Sequence, residues 1–105
     1  MQPTLLLTVE SSFVLTGLGV LARGPAPALA PYARHTALAV ALVWAGGREL
    51  TAVATVEEIT QPSPTDPSLT LTAPALLLQL PEPAELPAGT EIWLTEQPLD
   101  DLFFL

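Results

Sequence analysis

Between Val9 and Gly24 the chain reads V-E-S-S-F-V-L-T-G-L-G-V-L-A-R-G, and this stretch restricts the fold more than any other. Val9, Phe13, Leu15 and Val20 are bulky and mostly β-favouring, and Gly17 and Gly19 interrupt them as G-x-G. Glycine inside a strand pattern marks a bulge, a sharp bend or a close backbone approach. A small barrel needs such bends to turn its corners. The pattern predicts two short strands, Thr4–Glu10 and Phe13–Ala22, the second bent at its glycines. It is not a dinucleotide fingerprint. G-L-G-V-L-A ends on Ala22, and the Gly24-Pro25-Ala26-Pro27 that follows opens no helix.

The remaining chain is divided by proline and glycine into further short strands. Gly24–Pro31 is a proline-rich loop. Thr36–Trp44 alternates so that Leu38, Val40, Leu42 and Trp44 share a face. Alanine and leucine would also suit a helix here, but Gly46-Gly47 between two alternating runs predicts a two-residue hairpin turn into Glu49–Ile59. Gln61–Ser68 holds three prolines in eight residues and reads as a stiff polar loop. Leu69–Ala73 and Leu76–Leu80 read as strands separated by Pro74, Pro81–Pro87 as a loop, and Thr90–Glu96 as the closing strand. The expected fold is all-β: a small closed β-barrel of about six mostly antiparallel strands with almost no helix. One domain spans residues 1–98, and 99–105 form an apolar C-terminal tail set off by Pro98.

V-E-x-x-F-x-L-x-G-x-G-V resembles the opening of the second domain of elongation factor Tu and related translational GTPases. Leu76-Leu77-Leu78-Gln79-Leu80 and Pro87-Ala88-Gly89-Thr90-Glu91-Ile92-Trp93-Leu94 resemble the family's late strands. The resemblance spans Leu5–Glu96 and implies a translation-protein barrel present as a stand-alone domain. In the family this domain contacts neighbouring domains and helps hold the aminoacyl end of transfer RNA. Leu18 stands where the family usually carries arginine between the glycines, so no binding residue is carried over. The family's GTPase motifs are absent: the chain has no phosphate-binding loop and no lysine.

The formal charge is −8, with only Arg23, Arg34 and Arg48 basic. Nucleic-acid affinity comes mainly from lysine and arginine on phosphates, so nucleic acid is disfavoured as a partner. Anionic membrane surfaces are disfavoured for the same reason. The N-terminus lacks the positive region of a secretory signal, and the longest apolar run, Ala37–Ala45, is too short to span a bilayer. A soluble, cytoplasmic protein is expected, as a monomer or weak homo-oligomer.

No catalytic, metal or cofactor residue is assigned. Cysteine is absent, and His35, the only histidine, sits beside Arg34 where a loop enters a strand. A zinc site would have to draw its other ligands from carboxylates. Glu57 and Glu58 are neighbours on a strand and so point to opposite faces. The candidate interaction residues are Trp93, which shares a face with Glu91 and Thr95, and Leu102, Phe103 and Phe104 of the tail. These observations favour a non-catalytic binding module for an unidentified protein or ligand. A translation-linked module contacting transfer RNA or a ribosomal partner comes second, and a small carboxylate-based enzyme last.

Overall fold

The computed structural model describes residues 4–98, and the tail residues Leu102, Phe103 and Phe104 lie outside them. The described chain is all-β: β1 (Thr4–Thr8), β2 (Ser11–Leu15), β3 (Gly19–Arg23), β4 (Ala37–Val43), β5 (Glu49–Pro62), β6 (Thr70–Gln79) and β7 (Glu91–Pro98). A single 3₁₀ turn, Pro27–Leu29, interrupts the proline-rich loop. The strands form one seven-stranded sheet in the order β1-β7-β4-β5-β6-β3-β2, with every pairing antiparallel.

Alternation fixes which face is buried. Along β4, Leu38, Val40 and Leu42 are fully buried while the alanines between them are half-exposed. The cross-strand register carries that face around the sheet. Leu38 lies opposite Ala54, Ala54 opposite Leu78, and Leu78 opposite Val20, all buried. Leu42 lies opposite Ile92, and Ile92 opposite Leu7. A register shift between Leu5 and Leu7 lets both Leu6 and Leu7 be buried. Each such side chain contributes about 1.5–3 kcal/mol when fully buried, so this single inward face holds the fold together.

The ladder does not close into the barrel expected from sequence; β1 and β2 stand at its two ends. They are nonetheless consecutive in the chain, and the junction between them makes backbone hydrogen bonds in both directions. Val9 N–H donates to Thr90 O (2.8 Å), and Gly89 N–H donates to Val9 O (2.8 Å). Glu10 N–H donates to Arg23 O (2.8 Å), and Thr8 N–H to Pro25 O (3.3 Å). Gly24 permits the second approach, since a Cβ there would collide with the Thr8 carbonyl oxygen.

Three further expectations are corrected. Phe13–Ala22 is a hairpin rather than one bent strand: Leu18 N–H donates to Leu15 O (2.8 Å), and Gly17 takes a φ of 80° in the reversal. Gly46-Gly47 belongs to a three-residue loop. Trp44 N–H bonds Arg48 O (2.9 Å), Gly47 N–H bonds Trp44 O (2.8 Å), and Gly47 supplies the positive φ of 88° such a loop needs. Pro74 does not divide a strand either, because β6 runs unbroken from Thr70 to Gln79. The β3 ladder reaches only to Ala75, so Pro74 sits where β6 becomes an edge strand, the position proline tolerates. Beyond Val56 and Ala75, the β5 and β6 ladders pair with each other as a two-stranded ribbon.

Candidate functional site

Trp44 follows β4 just before the turn into β5, and the three-residue loop sets Arg48 across from it. The Arg48 guanidinium carbon lies 4.9 Å from the centroid of the indole, within cation–π range. Beneath them Trp44 packs against the core, as does Leu80 at the end of β6. Leu50, inward-facing opposite Leu42, continues the floor. The loop Pro81–Pro87 forms the other wall. Its Leu86 is buried, with its N–H and its C=O both bonded by one hydroxyl. Ser12 Oγ accepts from Leu86 N–H (2.6 Å) and donates to Leu86 O (3.2 Å). Prolines 81, 83 and 87 restrict the same loop further.

The resulting cleft has a volume of about 620 Å³, within the 300–1,000 Å³ range typical of ligand sites. Its floor is aromatic and aliphatic. Its rim carries Arg48 on one side and Glu82 and Glu85 on the other. Among the described residues, none of these three charges is in an ion pair. An apolar floor with carboxylates at its lip can take an aliphatic or aromatic side chain and a neighbouring cation together.

Trp93 stands on the outer face between Leu5 and Ala41, half-exposed, with its indole N–H donating to Glu91 Oε1 (3.2 Å). It lies on the opposite face of the sheet from the cleft's floor and does not join it. Phe13, half-exposed on the same outer face, sits 6.0 Å from the Arg23 guanidinium carbon, and Arg23 also donates to Gln61 of the ribbon (2.9 Å). His35 is 69% exposed at the foot of β4, with Nδ1 3.3 Å from Glu57 Oε1. Glu57 also accepts from Thr55 Oγ1 (2.9 Å). Glu58 lies on the other face of the ribbon, as its place on the strand predicts, so the two carboxylates do not converge.

The sequence sets Trp44 on one face with Leu38, Val40 and Leu42 but shows neither its stack with Arg48 nor the Pro81–Pro87 wall. The first was recoverable, because a glycine-rich hairpin loop sets its flanking residues face to face. The second was not, because the bond that seats the wall spans 74 residues. No family model matches the chain, and no curated protein or solved structure matches it.

Proposed function

We propose that the chain is a non-catalytic binding module built on a barrel of the kind found in the second domain of elongation factor Tu, with the Trp44 cleft as its working surface. Its partner is a protein segment that carries a basic residue beside an apolar one. The hydrogen bonds on both sides of the Thr8–Glu10 junction support the barrel. With β1 and β2 taken as one bent strand, the chain runs through six strands and its ends meet.

The observation that carries the function is the cleft itself: an indole floor, a wall seated by Ser12, and two rim carboxylates that make no ion pair among the described residues. A chain of net charge −8 draws basic partners inward, and the rim then orients them. The His35–Glu57 contact favours no enzyme. Its imidazole stands in water, which screens the pair and weakens the low-dielectric setting that acid–base chemistry exploits.

Replacing Trp93 by phenylalanine leaves Trp44 as the sole indole and makes its emission a reporter of the cleft. Titration with short peptides pairing lysine or arginine with an aromatic residue is expected to shift that emission saturably. Glu82→Lys with Glu85→Lys should weaken the best peptide about tenfold, from two rim charges worth about 0.2–1 kcal/mol each. Binding unaffected by that double change, or no peptide that moves the emission, overturns the proposal.

A further inference from the structure

The turn between β2 and β3 borders a second cleft, of about 400 Å³, lined by Val14, Leu18, Gln79, Leu80 and Pro83. Val14 lies opposite buried Val20 and so faces inward, yet it is 41% exposed. At this point the inward face of the sheet opens to water. Leu18 is 60% exposed beside it. The turn is held, because Gln79 Nε2 at the end of β6 donates to the Leu18 carbonyl oxygen (2.7 Å). No charged side chain is among the residues that line this cleft.

This cleft adjoins the one at Trp44. β2 ends at Leu15, β3 begins at Gly19, β6 ends at Gln79, β4 ends at Val43 and β5 begins at Glu49. The antiparallel ladder brings these termini to one end of the sheet, so both clefts open there. Leu80 lines both. The loop that leaves it turns Pro83 to the second cleft and Pro81, Glu82, Ala84 and Glu85 to the first. Two apolar sites therefore flank one loop, and only the Trp44 side carries carboxylates.

We propose that the two clefts are successive subsites of one groove for an extended protein segment, which sets an aromatic residue and its basic neighbour at Trp44 and an aliphatic residue between Val14, Leu18 and Pro83. This rests on the reading of the Trp44 cleft as a peptide site and adds to it a second anchor and a spacing. The charge pattern decides which anchor goes where. A cation beside Glu82 and Glu85 is paired, whereas in the uncharged cleft it would lose water with no partner. The strands give the spacing. Only β6 lies between β3 and β5, so the two turns are two strand separations apart, about 10 Å. A polyproline II segment rises about 3.1 Å per residue with three residues per turn. Anchors three residues apart then stand about 9 Å from one another on the same side of the segment.

The Trp93→Phe chain, with Trp44 as its sole indole, is titrated with two kinds of peptide. One carries Phe-Lys among alanines and glycines. The other adds a leucine three residues from the phenylalanine, as Phe-Lys-Ala-Leu or in the reverse order. The leucine is expected to tighten the better order about tenfold, which is 1.4 kcal/mol and within what burial of one leucine supplies. Leu18→Ser with Val14→Thr, both at exposed side chains, should remove that gain and leave the affinity of the Phe-Lys peptide unchanged. That unchanged affinity is also the check that the doubly substituted chain is folded. Phe-Lys binding with no gain from leucine overturns the second subsite and leaves the Trp44 reading standing. A gain that persists in the doubly substituted chain, or that is as large with leucine directly beside phenylalanine, overturns the second subsite too. No binding of either peptide overturns both readings together.

Discussion

Gly24→Ala should be among the most damaging single-methyl changes in this chain. The added Cβ would collide with the Thr8 carbonyl oxygen, and it would also stand 3.0 Å from the Thr8 carbonyl carbon and 3.1 Å from the Glu10 nitrogen. All three are backbone atoms, so no rotamer relieves the contact. The end of β3 must part from the β1–β2 junction. That breaks the bonds from Thr8 N–H to Pro25 O and from Glu10 N–H to Arg23 O. Two backbone bonds at about 0.5–1.5 kcal/mol each, with partial exposure of buried Val9 and Ala22 beside them, give a loss of about 2–4 kcal/mol. Against a typical total of about 5–15 kcal/mol, this lowers the melting temperature by roughly 8–32 °C at about 4–8 °C per kcal/mol. Urea unfolding followed by tryptophan emission measures it. Gly46→Ala is the control, because Gly46 has open space around it and its change should stay within about 0.5 kcal/mol. If Gly24→Ala unfolds at the same urea concentration as the control, the junction does not rest on β3. The barrel then fails with it, and the sheet is as open as its ladder.

The same denaturation assay tests Ser12→Ala, which leaves the N–H and C=O of buried Leu86 without partners. At about 1–3 kcal/mol for each orphaned group, a loss of about 2–6 kcal/mol is expected, with Trp44 emission shifting to the red as the cleft wall loosens. Asp66 is held below the usual carboxylate range, first by the Ser68 hydroxyl (2.7 Å) and then by the Ser68 N–H (3.0 Å). These bonds favour the charged form, so their support of the Ser63–Leu69 turn is present at neutral pH and is lost as pH falls through the lowered value. A carboxyl-carbon NMR titration should show Asp66 titrating at higher pH in Ser68→Ala than in the parent; equal midpoints would contradict the assignment.

How much of this was legible in the sequence depends on how local each cause is. The shared face of Leu38, Val40 and Leu42 follows from a two-residue period, and the structure turns that face inward. The position of the Gly46-Gly47 hairpin was legible too, although its loop is one residue longer. Gly17 and Gly19 were misread because a bend and a reversal leave the same trace: apolar residues on both sides of a G-x-G. What separates them is that Val14 finds Val20 across the turn while Val20 finds Leu78 on its other side, and neither pairing is written locally. Pro74 reads locally as a break, but a missing donor matters only where a neighbouring strand needs it, and the sequence does not say that β3 ends at Arg23, opposite Ala75. Gly24 makes the same point most sharply. Read locally, it begins a loop, and any small residue would serve before Pro25. Its requirement comes instead from Thr8, sixteen positions earlier, whose carbonyl fills the space a side chain would take. The stretch that first constrains the fold therefore does so through a contact between its end and the strand before it, and only a substitution, not a pattern, can show how much depends on that contact.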